Sequence, residues 1–296
     1  MIAPIDVVVV SYNRRDLLER CLASLRESGR TTRVFVVDND SSDGSAGLVS
    51  DHYPEVELIL NDANVGFAAA VNRGVKRGHA PAVLLLNSDA AVETTTLDVL
   101  ERALEVDPRL AAVGPRIVGD DGTLELSTGR TMSLLNEAWF KLVKTVGGSQ
   151  GWLLGWSLRR HYASDRDTGS LTAACLLIRR EAYEDVAGLD ERFFLYAEDV
   201  DLCRRLRQAG WRLRYVAQAT VRHLRGGSGR RDPATAALAY RASQIAFYAK
   251  HRGPLSSLLL RAYLETKYGL GLLRGRHSDR AMWNWLRRGM PPRHGS

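Results

Sequence analysis

Ile5-Asp6-Val7-Val8-Val9-Val10-Ser11-Tyr12-Asn13 decides the fold. An apolar run broken only by one early acid reads as a strand buried on both faces, as strands of a parallel sheet are. It stops at three polar residues, and Asn13 is placed to cap a helix carrying Leu17, Leu18, Cys21, Leu22 and Leu25 on one face. The same pattern then repeats. Residues 34–37 form a second buried strand, and Ser41-Ser42-Asp43-Gly44 is turn and helix-start chemistry. Residues 56–60 form a third strand, 66–77 a helix with an Ala-rich face, and 82–86 a fourth strand that ends at Asn87-Ser88-Asp89. Strands alternating with helices at this spacing mean an α/β fold with a mostly parallel sheet and crossover helices. Ligands of such sheets sit at the carboxyl ends of the strands. Ser11, Tyr12, Asn13, Asp38, Asn39, Asn64, Asn87, Ser88 and Asp89 collect there.

Farther along, residues 111–165 are less regular, with Gly147, Gly148, Gly151 and Gly155 around Trp152 and Trp156, and are expected to form a mobile loop or lid. A strand is expected over 171–178, and two short ones over 211–216 and 219–223. Residues 233–252, 255–274 and 278–289 read as helices separated by Gly253-Pro254 and by Gly275. The expected division is a main domain over 1–230 and a helical appendage over 231–296.

The net charge of +7 is unevenly spread. Residues 233–296 hold 11 Lys and Arg against 2 acids, whereas the rest holds 30 against 32. The main domain is slightly acidic, which argues against nucleic-acid binding. The basic, aromatic appendage suits contact with an anionic membrane surface, a helical layer packed on the core, or a homodimer contact. Cys21, Cys175 and Cys203 are far apart in apolar surroundings, so neither a disulfide framework nor a zinc site is expected and a reducing compartment is. Met1 to Val10 has no basic leader, and no run of 18 apolar residues exists, so the expected location is cytoplasmic, with peripheral contact at the inner face of the membrane.

Phe193-Phe194-Leu195-Tyr196-Ala197-Glu198-Asp199-Val200-Asp201-Leu202-Cys203 places three carboxylates within four residues, at the start of an amphipathic helix. Buried charges need a partner, a metal or a chemical use. Glu198 or Asp199 aimed into a pocket is a candidate general base; the alternative is that Glu198 and Asp201 complement the helix dipole and pair with Arg204 or Arg205. Asp89, ending a buried strand, is a candidate ligand for Mg²⁺ or Mn²⁺ alongside phosphate oxygens, or else part of an Asx-turn. His223 ends a short strand before a Gly-rich basic loop over 225–231, which can lie against phosphates or serve as a solvated connector.

Taken in order, Val-Val-Ser-Tyr-Asn (9–13), Val-Val-Asp-Asn-Asp-Ser-Ser-Asp-Gly-Ser (36–45), Asn64-Val65-Gly66-Phe67-Ala68, Leu-Leu-Leu-Asn-Ser-Asp (84–89), Gly188-Leu189-Asp190-Glu191-Arg192-Phe193-Phe194, the Glu198-Asp199 pair and His223 resemble the family 2 glycosyltransferases, especially their rhamnosyltransferase-like branch. The resemblance spans about residues 5–225. It implies a GT-A fold (Rossmann-like, with flanking helices) followed by a C-terminal helical region. It implies inverting transfer from a nucleotide-sugar. By resemblance Asp38 reads the pyrimidine base, and Ser11, Tyr12, Asn13, Asn64, Gly66, Asn87 and Ser88 line the nucleotide-sugar cleft. Asp89 and His223 hold a divalent cation, Asp199 is the general base, and Glu198 is its acidic neighbour.

Two departures stand out. The first acid of the family's DxD-type motif is Asn87, a weaker metal ligand. The Asp-Trp-Val-Ser-Gly-Ala that relatives commonly show before the Cys is Gly169-Ser170-Leu171-Thr172-Ala173-Ala174, which lacks the Trp that would contact the acceptor. The branch implies dTDP-L-rhamnose as donor, with UDP-sugars open, and a glycan, lipid-linked or small-molecule acceptor. A catalytically inactive nucleotide-sugar-binding scaffold is the alternative; retention of both Glu198 and Asp199 argues against it.

Overall fold

The computed structural model describes residues 5–30, 32–125, 127–128, 160, 162–224 and 233–288. Strand β1 (Ile5–Ser11) lies between β2 (Thr32–Asp38) and β4 (Ala82–Asn87), with β3 (Glu57–Leu60) outside β2, all parallel. The valine run has its explanation in two core layers. Val7 and Val9 face helix α1 (Arg15–Glu27), and Val8 faces α3 (Phe67–Val75) on the other side. Asp6 is tolerated within the run because Arg180 and the Ala80 N–H bond its carboxylate at 2.8 and 2.7 Å.

Beyond β4 the sheet becomes mixed. Its order is β3-β2-β1-β4-β9-β6-β10-β5. Strand β9 (Cys175–Arg179) runs antiparallel to both β4 and β6 (Leu110–Gly119). Strand β10 (Arg212–His223) is parallel to β6, and the short β5 (Ala90–Val92) pairs antiparallel with β10. Burial on both faces makes an apolar run whichever way the strand points, so the sequence pattern does not reveal the reversal at β9. Two minor strands, β7 (Leu124–Glu125) on β6 and β8 (Arg166–Asp167) on β10, complete the sheet.

Other expectations are corrected. Residues 111–119, part of the segment 111–165 expected to be irregular, belong to a central strand over Leu110–Gly119. A Cβ on Gly114 would sit 2.9 Å from Leu171 Cδ2, so an alanine there would make that leucine side chain shift. The two short strands expected over 211–223 are one strand whose register shifts between Val216 and Thr220. Asn13 does not cap α1: with φ of 52° its Oδ1 accepts the Ser42 N–H at 2.8 Å. Asp43 instead accepts the Arg15 N–H at 2.9 Å and the Ser45 N–H at 3.0 Å, capping both α1 and α2 (Ser45–His52). Helix α4 (Thr96–Glu105) packs on β6 and β10, and α5 (Arg180–Asp185) on β9. The lid expected around Trp152 and Trp156, and the Gly-rich basic loop over 225–231, lie outside the described residues.

Helix α6 (Glu198–Gln208) follows the quoted aromatic segment. Three more helices come after β10: α7 (Pro233–His251), α8 (Gly253–Leu273) and α9 (Arg280–Arg288). They are packed on the main domain through a third core in which Phe193 and Ala197 meet Phe247, Leu260, Leu264 and Leu286. An ionic cluster fastens the same junction. Asp201 is fully buried and is held by Arg205 at 2.7 Å, Lys250 at 2.7 Å and His251 at 2.6 Å. Asp201 therefore takes the structural role left open for it in the sequence. Burial works to raise its pKa, but the hydrogen bonds from Lys250, His251 and Arg205 hold it below the ordinary value.

Candidate active site

Ser11 and Asp38 are register partners at the carboxyl ends of β1 and β2. Both are buried. Asp38 Oδ1 accepts the Ser41 N–H at 2.8 Å, while its Oδ2 and the Ser11 Oγ are buried without a partner. Buried oxygens left unpaired cost free energy unless a ligand satisfies them. Beneath them runs an amide chain: Asn61 Nδ2 donates to Asn39 Oδ1 at 2.7 Å, and Asn39 Nδ2 donates to the Gly66 carbonyl at 3.3 Å. Asn64 Oδ1 accepts the Gly66 N–H at 3.0 Å. Tyr12 is exposed beside Ser11, whereas Asn13 is engaged with Ser42 and ties the 11–13 and 41–43 loops together.

Gly66 joins this cleft to the acidic segment. Its φ is +85°, and a Cβ on it would stand 2.6 Å from the Phe194 carbonyl, which accepts the Phe67 N–H at 2.7 Å. Only glycine supplies both the dihedral and the space. Gly66→Ala is expected to weaken nucleotide binding by at least about tenfold and to destabilise the fold by roughly 1–3 kcal/mol, read by calorimetric titration and thermal melting.

On the other side of β1 and at the same carboxyl end, Asn87-Ser88-Asp89 follows β4, with Asn87 the register partner of Val10. His223, at the end of β10, places Nε2 3.1 Å from Asp89 Oδ1, and its Nδ1 lies 2.9 Å from Glu125 Oε2. The hydrogen bond with Asp89 is the main reason the imidazole pKa is raised to about 9. The 3.1 Å spacing is that of a hydrogen bond; by type, the Asp89 oxygen and the His223 nitrogen are donors that a divalent cation takes beside phosphate oxygens. No cluster of three His, Cys, Asp or Glu suited to a metal occurs among the described residues. Asn87 lies beside the pair as a neutral amide.

The third group is Glu198-Asp199. Tyr196 and Ala197 both have left-handed backbones, with φ of 70° and 69°, and turn the chain into α6. Strained residues in succession persist where surrounding packing fixes them; here the third core does so. Asp199 Oδ1 accepts its neighbour Val200 N–H at 2.7 Å, and Oδ2 accepts the Ala173 N–H at 3.3 Å. Burial raises the Asp199 pKa despite these bonds. Glu198 is raised further, by burial first and then by the charge of Asp199, and its Oε2 has no partner. Of the two, Glu198 keeps its proton more readily.

One short loop links the second and third groups. Ala173 donates its N–H to Asp199, and Ala174 offers its carbonyl to the Asn87 N–H at 3.0 Å. The segment that lacks the family's Trp therefore still carries both through its backbone. Sequence reasoning missed Glu125, whose link to His223 crosses 98 residues, and it assigned no part to Tyr196. Burial raises the Tyr196 pKa, and the charges of Glu198 and Asp89 add to the rise. Its position next to Glu198 was the only available signal.

Comparison with known proteins gives the family and the fold. The family model described as Glycosyl transferase family 2 matches residues 6–187. An N-acetylglucosaminyl-diphospho-decaprenol L-rhamnosyltransferase of Mycobacterium tuberculosis is 35% identical, over 92% of this chain and 99% of that protein. A pre-mycofactocin glycosyltransferase of the same species is 33% identical over 74% of this chain and 42% of its own length. Among solved structures, GalNAc-T7 with UDP, GalNAc and Mn²⁺ superposes with a TM-score of 0.57 at 14% identity, covering 88% of this chain and 55% of that one. The mannosyltransferase PcManGT from Pyrobaculum calidifontis, with GDP-Man and Mn²⁺, gives 0.53 at 18% identity, covering 95% and 84%. The fold is the GT-A fold that the sequence implied, and the chain belongs to glycosyl transferase family 2.

Proposed function

We propose that this glycosyltransferase moves L-rhamnose from dTDP-L-rhamnose, with inversion, to a sugar hydroxyl of an N-acetylglucosaminyl-diphospho-polyprenol at the inner face of the membrane. The observation that carries the reaction type is the loop 172–174, which hangs Asp199 and the Asn87-Ser88-Asp89 segment on adjacent peptide groups. The similarity to the mycobacterial rhamnosyltransferase over nearly the full length of both chains supports the choice of sugar and acceptor.

In this reading the base of the donor meets the unpaired Asp38 Oδ2, and the ribose and diphosphate lie along Ser11, Asn64 and Gly66. Asp199 takes the proton of the acceptor hydroxyl as that oxygen attacks the anomeric carbon. The bond from that carbon to the diphosphate breaks on the opposite face, and the nucleoside diphosphate leaves with the electron pair. Asp89 and His223 would hold a divalent cation, which when bound offsets the charge growing on the leaving group. Glu125 orients the imidazole from its other nitrogen, as partners behind a metal-binding histidine do. Glu198, as the protonated neighbour, donates to acceptor oxygens without adding charge beside Asp199.

The test is product formation from dTDP-L-rhamnose and N-acetylglucosaminyl-diphospho-polyprenol, beside a panel of UDP-sugars. Turnover with a UDP-sugar alone would replace the donor. Donor turnover with no sugar transferred to any lipid-linked or free glycan would overturn the acceptor. Chelation by EDTA is expected to lower the rate at least about tenfold, with recovery on adding Mn²⁺ or Mg²⁺. Full activity in EDTA would remove the cation from Asp89 and leave His223 to donate to the diphosphate directly.

A further inference from the structure

Helix α8 is apolar on two opposite faces. Leu260, Leu264, Tyr268 and Gly271 are buried against the third core. On the other side Leu255, Leu258, Leu259, Leu270 and Leu273 are 69%, 64%, 53%, 45% and 85% exposed. At 100° per residue these five fall on one stripe, and Ala262 and Thr266, also exposed, fill its middle without a charge. Five of the eight large hydrophobic side chains exposed among the described residues belong to this single helix. A helix apolar all round is normally enclosed, so the outer stripe needs a cover.

Charge identifies that cover. The stripe is bordered by Arg261, Lys267 and Arg274 and by one acid, Glu265, which pairs with Arg261 at 3.1 Å, so the borders stay net basic in a region where basic residues outnumber acids 11 to 2. A second copy docked by a two-fold axis would bring the same basic borders together, which like-charge repulsion opposes. An anionic bilayer instead attracts the borders while its acyl region receives the leucines. Although α8 has 21 residues, no described helix is long and apolar enough to cross a membrane. We infer that the outer stripe of α8 lies in the interface of an anionic membrane. Its inner face packs on Phe193 and Ala197, immediately before Glu198. The carboxylates thus stand one helical layer above the bilayer, within reach of a lipid-linked sugar. The last step rests on the function proposed above; the membrane seat does not.

The test is co-sedimentation of the full chain with phosphatidylglycerol vesicles and with phosphatidylcholine vesicles, beside the double variant Leu258→Glu, Leu259→Glu. Binding is expected on the anionic vesicles and to weaken from about 50 mM to about 500 mM NaCl. The double variant is expected to bind at least about tenfold more weakly, with unchanged melting and unchanged transfer to a short-chain, water-soluble acceptor. Absence of binding at low salt, or equal binding by the variant, overturns the inference. So does a dimer in sedimentation equilibrium that the same substitutions dissociate, since the stripe would then belong to a second copy. The soluble-acceptor assay reports separately on the proposed reaction, so either idea can fail alone.

Discussion

Asp199→Asn lowers the rate of sugar transfer by about 10²- to 10⁴-fold while leaving nucleotide affinity within about twofold, because only the proton acceptor is lost. The amide keeps the shape, and its single oxygen can still accept one of the Val200 and Ala173 N–H groups, which bond the two oxygens of the native carboxylate at 2.7 and 3.3 Å. Glu198→Gln is the matched control. Burial and the charge of Asp199 raise the Glu198 pKa well above its usual value, so a neutral amide imitates the form this environment favours, and most of the rate is expected to survive. The pH profile carries the same information. Burial raises the Asp199 pKa, so its basic form exists above that raised value and is lost as pH falls through it. The acid limb of kcat/KM is therefore expected above the ordinary aspartate range, and Asp199→Asn removes it. Retained turnover in Asp199→Asn would remove this residue from the chemistry.

The second large effect is on stability. Asp201→Ala takes the only acid from the centre of a buried cluster and leaves Arg205 and His251 without their carboxylate. Lys250 keeps Asp190 at 2.6 Å, which moderates the loss. Breaking a buried ion pair from one side costs about 3–5 kcal/mol, corresponding to a fall in Tm of roughly 5–15 °C. The sign with pH follows from the lowered Asp201 pKa. Its contribution is fully present above the unfolded-state value and disappears as pH falls through the folded-state value. Native protein and variant should thus differ most near neutrality and converge in acid. Equal melting temperatures at pH 7 would show that the C-terminal helices are held by the apolar contacts of Phe247, Leu260 and Leu264 without the cluster.

Much of the site was legible along the chain because its parts are local. The valine run, the polar residues at strand ends and the Glu198-Asp199 pair each occupy a few consecutive positions, and their residue types disclose burial and charge directly. Asp38 and Ser11 could be placed at one sheet edge because adjacent parallel strands end together, and the register pairs them. Asn13 was misjudged because a cap is defined by backbone dihedrals, and Asp43, from a distant loop, took its place. Residues 111–119 were misjudged because they were grouped with the Gly- and Trp-rich stretch that follows, and their pairing with β9 and β10 shows only in the assembled sheet.

The amino-acid sequence by itself determined the alternating layers, the family and the chemical identity of the acids, since periodicity and side-chain type are properties of neighbouring residues. Tertiary structure alone decided the antiparallel insertion of β9, the meeting of His223 with Glu125, and the use of one face of α8 for packing while the other stays exposed. These are contacts between segments separated by tens to hundreds of residues. Nothing local encodes them, because direction, distance and burial of such pairs are fixed only when the whole sheet and its covering helices close together.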